Sequence, residues 1–205
     1  MSESPEKQRK TLALFDFDGT ITARDSLPDF IVTAVGLPRF LLGMLVLSPT
    51  LVLYLLKLVR NDIAKEKMLG YFFKGWTIDR LNAVGQGYAL TRIHHIIRPQ
   101  ALAQLQWHQA QGHDIVIVSA STEHWLQAWT QQQGYQLIAT KMAVNHGMLT
   151  GKFDGHNCYG QEKVRRIQTA LELAHYEHIY AYGDSSGDKP MLALADEAVY
   201  KPFRN

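Results

Sequence analysis

Leu12 to Thr22, LALFDFDGTIT, is the stretch that most restricts what this chain can become. An apolar run ends in two aspartates, Asp16 and Asp18, followed at once by Gly19 and Thr20. A short, mostly apolar run closed by a glycine turn fits a strand buried inside a parallel sheet. Residues two apart on a strand project to the same side, so both carboxylates crowd one strand end. Such crowding is unfavourable unless a cation or a shared proton relieves it, which points either to a divalent metal or to an acid/base pair. A plain Asp-Gly turn accounts for one aspartate. It leaves the second, across Phe17, unexplained.

After this turn the composition changes. Phe40 to Val59 is almost wholly apolar, with Lys57 its only charge. Length alone would allow a bilayer span, since about 20 such residues suffice. Ser48-Pro49-Thr50 interrupts the run, however, and predicts two short packed helices joined by a turn, bracketed by Arg39 and Arg60. An exposed apolar face is the remaining alternative. Ile63 to Leu90 reads as helical, with a break at Gly75-Trp76-Thr77, where Thr77 is placed to cap a helix beginning at Ile78. The whole stretch is a helical insert.

From Ala101 the pattern alternates. A helix to Gln111 stops at Gly112, and a strand over Ile115 to Val118 runs into the hydroxylated turn Ser119-Ala120-Ser121-Thr122. A helix over Glu123 to Gln133, closed by Gly134, leads to a strand over Gln136 to Thr140. Met142 to Phe153 reads as a hairpin turning at Asn145-His146-Gly147. A helix over Gln161 to His175 carries Val164, Ile167, Leu171 and Ala174 on one face. A strand over His178 to Tyr182, a helix from Lys189 and a short strand over Ala198 to Tyr200 complete the chain. Strand, polar turn and helix in repetition are the logic of a doubly wound α/β sheet.

Bulk properties exclude several functions. At 205 residues the chain suits one sizeable domain, or one domain carrying a smaller insert. A net charge of +2, with no basic run interleaved with aromatics, argues against a nucleic-acid partner. The single cysteine, Cys158, cannot form an intrachain disulfide, and no CxxC or His/Cys cluster offers a zinc site. His94 and His95 are adjacent and are expected to point apart at the surface. A reducing, cytoplasmic compartment is the default expectation for such cysteine usage, and the polar opening from Met1 to Lys10 does not resemble a signal peptide.

In open α/β sheets ligands collect beyond the carboxyl ends of the strands. There the chain puts Asp16 and Asp18 on one strand, Ser119 on another, and Asp184 with Asp188 on a third. Carboxylates without histidine suit Mg²⁺, and Lys163, early in its helix, adds a compact positive charge. Taken singly, Ser119 and Asp184 are ordinary turn residues and Lys163 an ordinary surface lysine; their joint placement suits phosphoryl transfer. No GxxxxGK[ST] cradle is present, so an aspartate nucleophile is favoured over a nucleotide-binding loop.

Four elements in order, FDFDGT at Phe15 to Thr20, IVIVSAS at Ile115 to Ser121, GQEK at Gly160 to Lys163 and GDSSGD at Gly183 to Asp188, resemble the motifs of the haloacid dehalogenase superfamily. The resemblance is to its phosphoserine-phosphatase-like branch, and NHGMLTG with CYGQEKVRRI is similar to the subfamily IB hydrolases. It implies a Rossmann-like parallel sheet core, residues 1–24 and 101–205, with an all-helical cap of the C1 type over residues 25–100. It further implies that Asp16 attacks phosphorus and that Asp18 first protonates the leaving oxygen and then activates water. Asp16, the backbone carbonyl of Asp18 and Asp184 would hold Mg²⁺, with Asp188 supporting them. Ser119 and Lys163 would bind phosphoryl oxygens, assisted by backbone N–H groups near Gly19 and Ala120.

Substrate choice is expected to lie with the cap. Asp25 falls where phosphoserine phosphatases carry an acid that meets the substrate amine, which implies a small, amino-bearing phosphomonoester; a helix cap at Asp25 or Ser26 is the structural alternative. No arginine stands where those enzymes bind the serine carboxylate, only Lys65 and Lys67, and Gly19 replaces their usual serine. The apolar segment supports a rival, a membrane-associated phosphatase of lipid phosphates resembling phosphatidylglycerophosphate, while a second subunit or the cap interior would equally cover it. A catalytically silent phospho-ligand-binding protein is the alternative of another class, and retention of Asp16, Asp18, Lys163 and Asp184 speaks against it.

Overall fold

The alternation within LALF decides which way the sheet buries itself. In the structure, a computed structural model describing residues 10–204, strand β1 spans Lys10–Phe15. Leu12 and Leu14 face one core cluster with Val116, Val118 and Ile167, whereas Ala13 and Phe15 face the other with Ile115 and Ile117. Apart from Lys10, the polar opening segment lies outside the described residues.

The described residues hold seven strands in chain order: β1, β2 (Asp114–Thr122), β3 (Gln136–Thr140), β4 (Met142–Asn145), β5 (Met148–Phe153), β6 (Tyr176–Gly183) and β7 (Glu197–Tyr200). Five of them form one parallel sheet in the order β3-β2-β1-β6-β7. The chain therefore builds outward from β1 on one side and then returns to its other side, so the switch point where ligands bind in such sheets lies at β1. β4 and β5 are the expected antiparallel hairpin, and His146 and Gly147 at its turn both take positive φ, 48° and 76°.

The helical insert comprises α1 (Ser26–Val35), α2 (Leu37–Leu55), α3 (Asn61–Phe73) and α4 (Ile78–Thr91); Thr77 caps α4 by accepting from the Arg80 N–H, as its position predicts. The segments entering and leaving the insert lie side by side. The Ala23 N–H donates to the Ile96 carbonyl at 2.7 Å and the Arg98 N–H to the Ile21 carbonyl at 2.8 Å. The insert also touches the hairpin, where Gly75 and Leu149 and then Leu149 and Trp76 exchange backbone bonds of 2.9 Å. On its other side α4 meets the chain after β2 so closely that a Cβ at Gly85 would lie 2.0 Å from the His124 carbonyl oxygen. The rest of the chain carries α5 (Pro99–Ala110), α6 (Gln127–Gln133), α7 (Gln161–Ala170) and α8 (Lys189–Leu192).

Four expectations are corrected. Residues 40–59 are not two helices with a turn at Pro49, because α2 continues unbroken through it. Proline removes the N–H that would bond the Leu45 carbonyl, and the Ser48 hydroxyl, 2.7 Å away, donates to that carbonyl instead. The chain at Ser119 to Thr122 is not a turn: β2 runs on through it with a register shift against β3. Gln161 to His175 is not one helix, since Leu171 is already extended and only a short turn follows at Leu173–His175. His94 and His95 are exposed as expected but do not point apart; their ring centroids lie 3.8 Å from each other on a tight helical turn, whose spacing brings neighbours closer than a strand would.

Candidate active site

Asp16 keeps the extended backbone of the strand it follows, with φ −67° and ψ 155°, and its N–H donates to the Tyr182 carbonyl at 2.9 Å. The carboxylate is thus fixed at the end of β1, beside β6. A wide turn follows, closed by the Thr22 N–H on the Phe17 carbonyl at 3.0 Å. Gly19 within it has φ 83°, and a Cβ there would stand 2.6 Å from Oδ2 of Asp184. Glycine here serves both the backbone and the approach of the second acidic loop.

Alternation carries Asp16 to the same face as Leu12 and Leu14, the face that α7 covers. Lys163, in the first turn of that helix, meets it there. Its Nζ donates to Oδ1 of Asp16 at 2.6 Å, to the Val118 carbonyl at 2.7 Å and to Oδ1 of Asp188 at 2.7 Å. Three donors meet three acceptors, the condition under which a lysine that is 1% exposed remains charged. Oδ2 of Asp16 faces the Thr20 hydroxyl at 3.0 Å, and that hydroxyl lies 3.4 Å from Oδ1 of Asp184. Asp188 organises its own loop, its Oδ2 accepting from the Asp184 N–H, the Ser185 N–H and the Ser185 hydroxyl.

Asp18 has a different set of partners. Its Oδ1 accepts from the Ser26 N–H at 2.7 Å and its Oδ2 from the Ser121 hydroxyl at 2.5 Å. Ser26 and Ser121 lie 3.2 Å apart through their hydroxyls, and the Trp125 indole N–H donates to Ser26. Asp18 therefore ties the first residue of α1 to the end of β2. Ser119 is fully buried, its hydroxyl accepting from the Ser121 N–H at 3.0 Å. The Ala120 carbonyl accepts from Thr140 and, at 3.4 Å, from Lys65 Nζ of α3, while the Gly19 N–H donates to the Thr22 hydroxyl at 3.2 Å. Asp25 caps α1 by accepting from the Leu27 N–H at 2.9 Å.

Burial pushes the Asp16 carboxyl up to about 7, with Lys163 opposing the shift and Asp188 adding to it. Burial also works against the charge on Lys163, but Asp16 and Asp188 outweigh it and hold the ammonium above its usual range. Asp188 is likewise penalised by burial, yet Lys163 and Ser185 keep it below the usual carboxylate range. Asp184 is raised by burial and by Asp188, against the pull of Arg204. Burial and then Asp18 raise Asp25, with Lys65 opposing. Asp16, Asp184 and Asp188 offer oxygens all within 4.8 Å of one another. Among the described residues these three carboxylates pair with two cations, Lys163 and Arg204, so hard oxygen donors carry surplus negative charge. A divalent cation of the Mg²⁺ type fits that donor set.

The structure brings together Asp16, Asp18, Ser119, Lys163, Asp184 and Asp188 from β1, β2, α7 and the loop after β6. Thr20 and Ser121 bind the carboxylates directly although only their motif membership singled them out in the sequence. Ser26 carries only the signal of a candidate helix cap and Arg204 none, because the carboxylates they meet are reached only through the tertiary fold.

Known proteins resemble this chain in sequence and in fold. The chain is 35% identical over 195 residues to the protein CicA of Caulobacter vibrioides, covering 94% of this chain and 86% of that one. It is 30% identical over 211 residues to a probable phosphatase of Mycobacterium tuberculosis, covering 95% and 70%. A protein of unknown function from Bordetella pertussis superposes with a TM-score of 0.78 at 23% identity, over 94% and 90% of the two chains. A phosphoserine phosphatase solved as an analogue of its phospho-aspartyl intermediate superposes with a TM-score of 0.65 at 16% identity, over 94% and 87%. A family model described as haloacid dehalogenase-like hydrolase matches residues 13–193, which include every one of the carboxylates and the lysine gathered here, and the chain belongs to that family.

Proposed function

We propose that this chain is a phosphatase that hydrolyses phosphate monoesters through a covalent aspartyl phosphate on Asp16, with Mg²⁺ as cofactor. The observation that carries the reading is the unequal setting of two neighbouring carboxylates. Asp16 is buried against Lys163, whereas Asp18 is held by Ser26 and Ser121. The two are thereby separated in role.

Asp16 forms the new bond to phosphorus while the bond to the leaving oxygen breaks, and Asp18 gives that oxygen its proton. Asp18 then takes a proton from water, whose oxygen attacks phosphorus and frees Asp16 and inorganic phosphate. As Asp16 forms its bond to phosphorus, Lys163 turns the N–H that held Asp16 toward a phosphoryl oxygen while keeping Val118 and Asp188, the Ser119 hydroxyl donates to another, and the N–H groups near Gly19 and Ala120 assist. Asp16, Asp184 and the Asp18 carbonyl would hold the metal, with Asp188 fixing the loop behind them; when bound, it supplies positive charge against the phosphoryl oxygens. The probable phosphatase among the relatives supports the reading, as does the capture of a phospho-aspartyl analogue on the same fold.

Residues 25–100 act as the cap that selects the substrate, a small phosphorylated metabolite, with Lys65 reaching from α3 to the Ala120 carbonyl at the edge of the site. An amino group on that metabolite would find Asp25. The buried, free thiol of Cys158 suits a reducing cytoplasm. The test is phosphate release from an aryl phosphate with Mg²⁺ or with chelator, followed by acid quenching with radiolabelled substrate. A hydroxylamine-labile label that disappears in Asp16→Asn is expected; label retained by that variant would remove Asp16 from its role.

A second reading, an enzyme acting on phosphates at a lipid surface, is favoured by one observation. α2 is long and apolar enough to cross a membrane by length and composition, and only 11% of its most apolar window is buried. Leu41, Leu42, Leu45, Val46 and Leu55 stand exposed rather than in a cap interior. Between Asp29 and Asp62 the only charges are cations, Arg39, Lys57 and Arg60, the pattern that favours anionic lipid. Flotation with anionic vesicles, lost in Leu42→Asp and Leu45→Asp, is the expected result. A wild-type chain that stays at the bottom of the gradient as a dimer would assign the face to a second copy instead.

A further inference from the structure

Beyond β7 the chain turns back in an unusual way. Lys201 and Phe203 both adopt left-handed backbone, with φ 56° and 61°. Non-glycine residues rarely do so, and a bulky aromatic least of all, unless surrounding contacts impose it. Those contacts fall on three consecutive residues of β6 and the loop it enters. The Lys201 N–H donates to the Gly183 carbonyl at 2.8 Å, and Phe203 stacks on Tyr182 with ring centroids 5.7 Å apart. The next residue, Arg204, brings Nη2 to 2.5 Å from Oδ2 of Asp184. The tail is anchored to the strand that delivers Asp184 and then grips its carboxylate.

The two oxygens of Asp184 are consequently unlike. Oδ1 faces Thr20, whose hydroxyl also meets Asp16, and Oδ2 is taken by the guanidinium. We propose that Arg204 is a positioning residue: it holds the outer oxygen of Asp184 and so presents the inner one toward Asp16 for the metal. The proposal rests on the metal reading of the site given above. Guanidinium suits the task better than ammonium because it is planar, always charged and weakly hydrated. Partners of this kind, behind a ligating carboxylate, orient it and tune the metal held in front.

The test measures metal binding directly, by calorimetric titration of the purified full chain with Mg²⁺ and by counting free Mn²⁺ with electron paramagnetic resonance. Arg204→Ala and Arg204→Gln are expected to weaken Mn²⁺ binding about tenfold or more, Arg204→Lys to recover part of the loss, and Phe203→Ala to give an intermediate value by loosening the tail. Denaturation of the metal-free variants in chelator shows whether they are folded. Unchanged affinity in a folded Arg204→Ala or Arg204→Gln overturns the proposal. Tighter binding also overturns it, making Arg204 a competitor for the site. A wild-type chain that binds neither metal, like Asp184→Asn, sinks the metal reading and this proposal together; wild-type binding lost in Asp184→Asn but indifferent to Arg204 sinks this proposal alone.

Discussion

Nζ of Lys163 stands 2.6 Å from Oδ1 of Asp16, a pair 147 residues apart in sequence and closed to solvent. Removing the cation leaves Asp16 and Asp188 buried without their shared partner. Lys163→Met is therefore expected to abolish phosphate release and to lower stability by about 3–5 kcal/mol at neutral pH. The two carboxylates then favour protonation in the folded chain, so the variant should regain stability as pH is lowered from 8 toward 5. Urea denaturation in chelator across that range checks it; a loss independent of pH would contradict the account.

Ser121 donates one of the two bonds that hold Asp18. Ser121→Ala frees one oxygen of the residue assigned to move the proton, and a misaligned acid/base forfeits part of its roughly 10²–10⁴-fold contribution. We expect kcat to fall about tenfold with KM changed little. Substrates with good leaving groups, which need less protonation, should suffer less, and an equal loss across a series of aryl phosphates would count against the assignment.

His108 provides a pH dependence remote from the chemistry. It is buried at the side of β6, with Nε2 2.9 Å from the Tyr182 hydroxyl and Nδ1 2.8 Å from Nδ1 of His113. Burial and then His113 push it down to about 4 from the usual 6.5, and burial and then His178 lower His113. The folded state therefore binds fewer protons than the unfolded chain between pH 6.5 and about 4. Stability present above that window is lost as pH falls through it, by on the order of 2 kcal/mol. His108→Gln, which keeps a polar contact to Tyr182 without titrating, should flatten the thermal-unfolding profile between pH 7 and 4.

Pro49 and Ser48 form a compensating pair in α2. Pro49→Ala restores a backbone donor for the Leu45 carbonyl and should stabilise the chain, by at most about 3 kcal/mol and less on this exposed helix. Ser48→Ala strips the substitute donor and should cost about 0.5–1 kcal/mol. In Pro49→Ala the same serine change should become nearly neutral. Thermal unfolding of the double-mutant cycle measures that coupling.

Much of this protein is legible along the chain because its signals are local. The run LALF, the aspartates after it, the Asn145-His146-Gly147 turn and the cap at Thr77 each depend on residues a few positions apart, which strand alternation, turn geometry and capping read directly. Even the membership of Lys163 in the site follows from a motif at the start of its helix. The errors arose where a local rule met a partner it could not see. Pro49 does not break α2 because Ser48 supplies the missing donor, and Ser119 to Thr122 remain strand because β3 lies alongside. Only the tertiary structure decided that Asp16 shares Lys163 with Asp188, that Ser26 and Ser121 converge on Asp18, and that Arg204 reaches Asp184. Ser26, Ser121 and Arg204 meet their partners 8, 103 and 20 residues away, at separations for which sequence carries no periodic signal. Burial, likewise, is a property of the assembled sheet and its covering helices, and it is burial that raises the Asp16 carboxyl above its usual range.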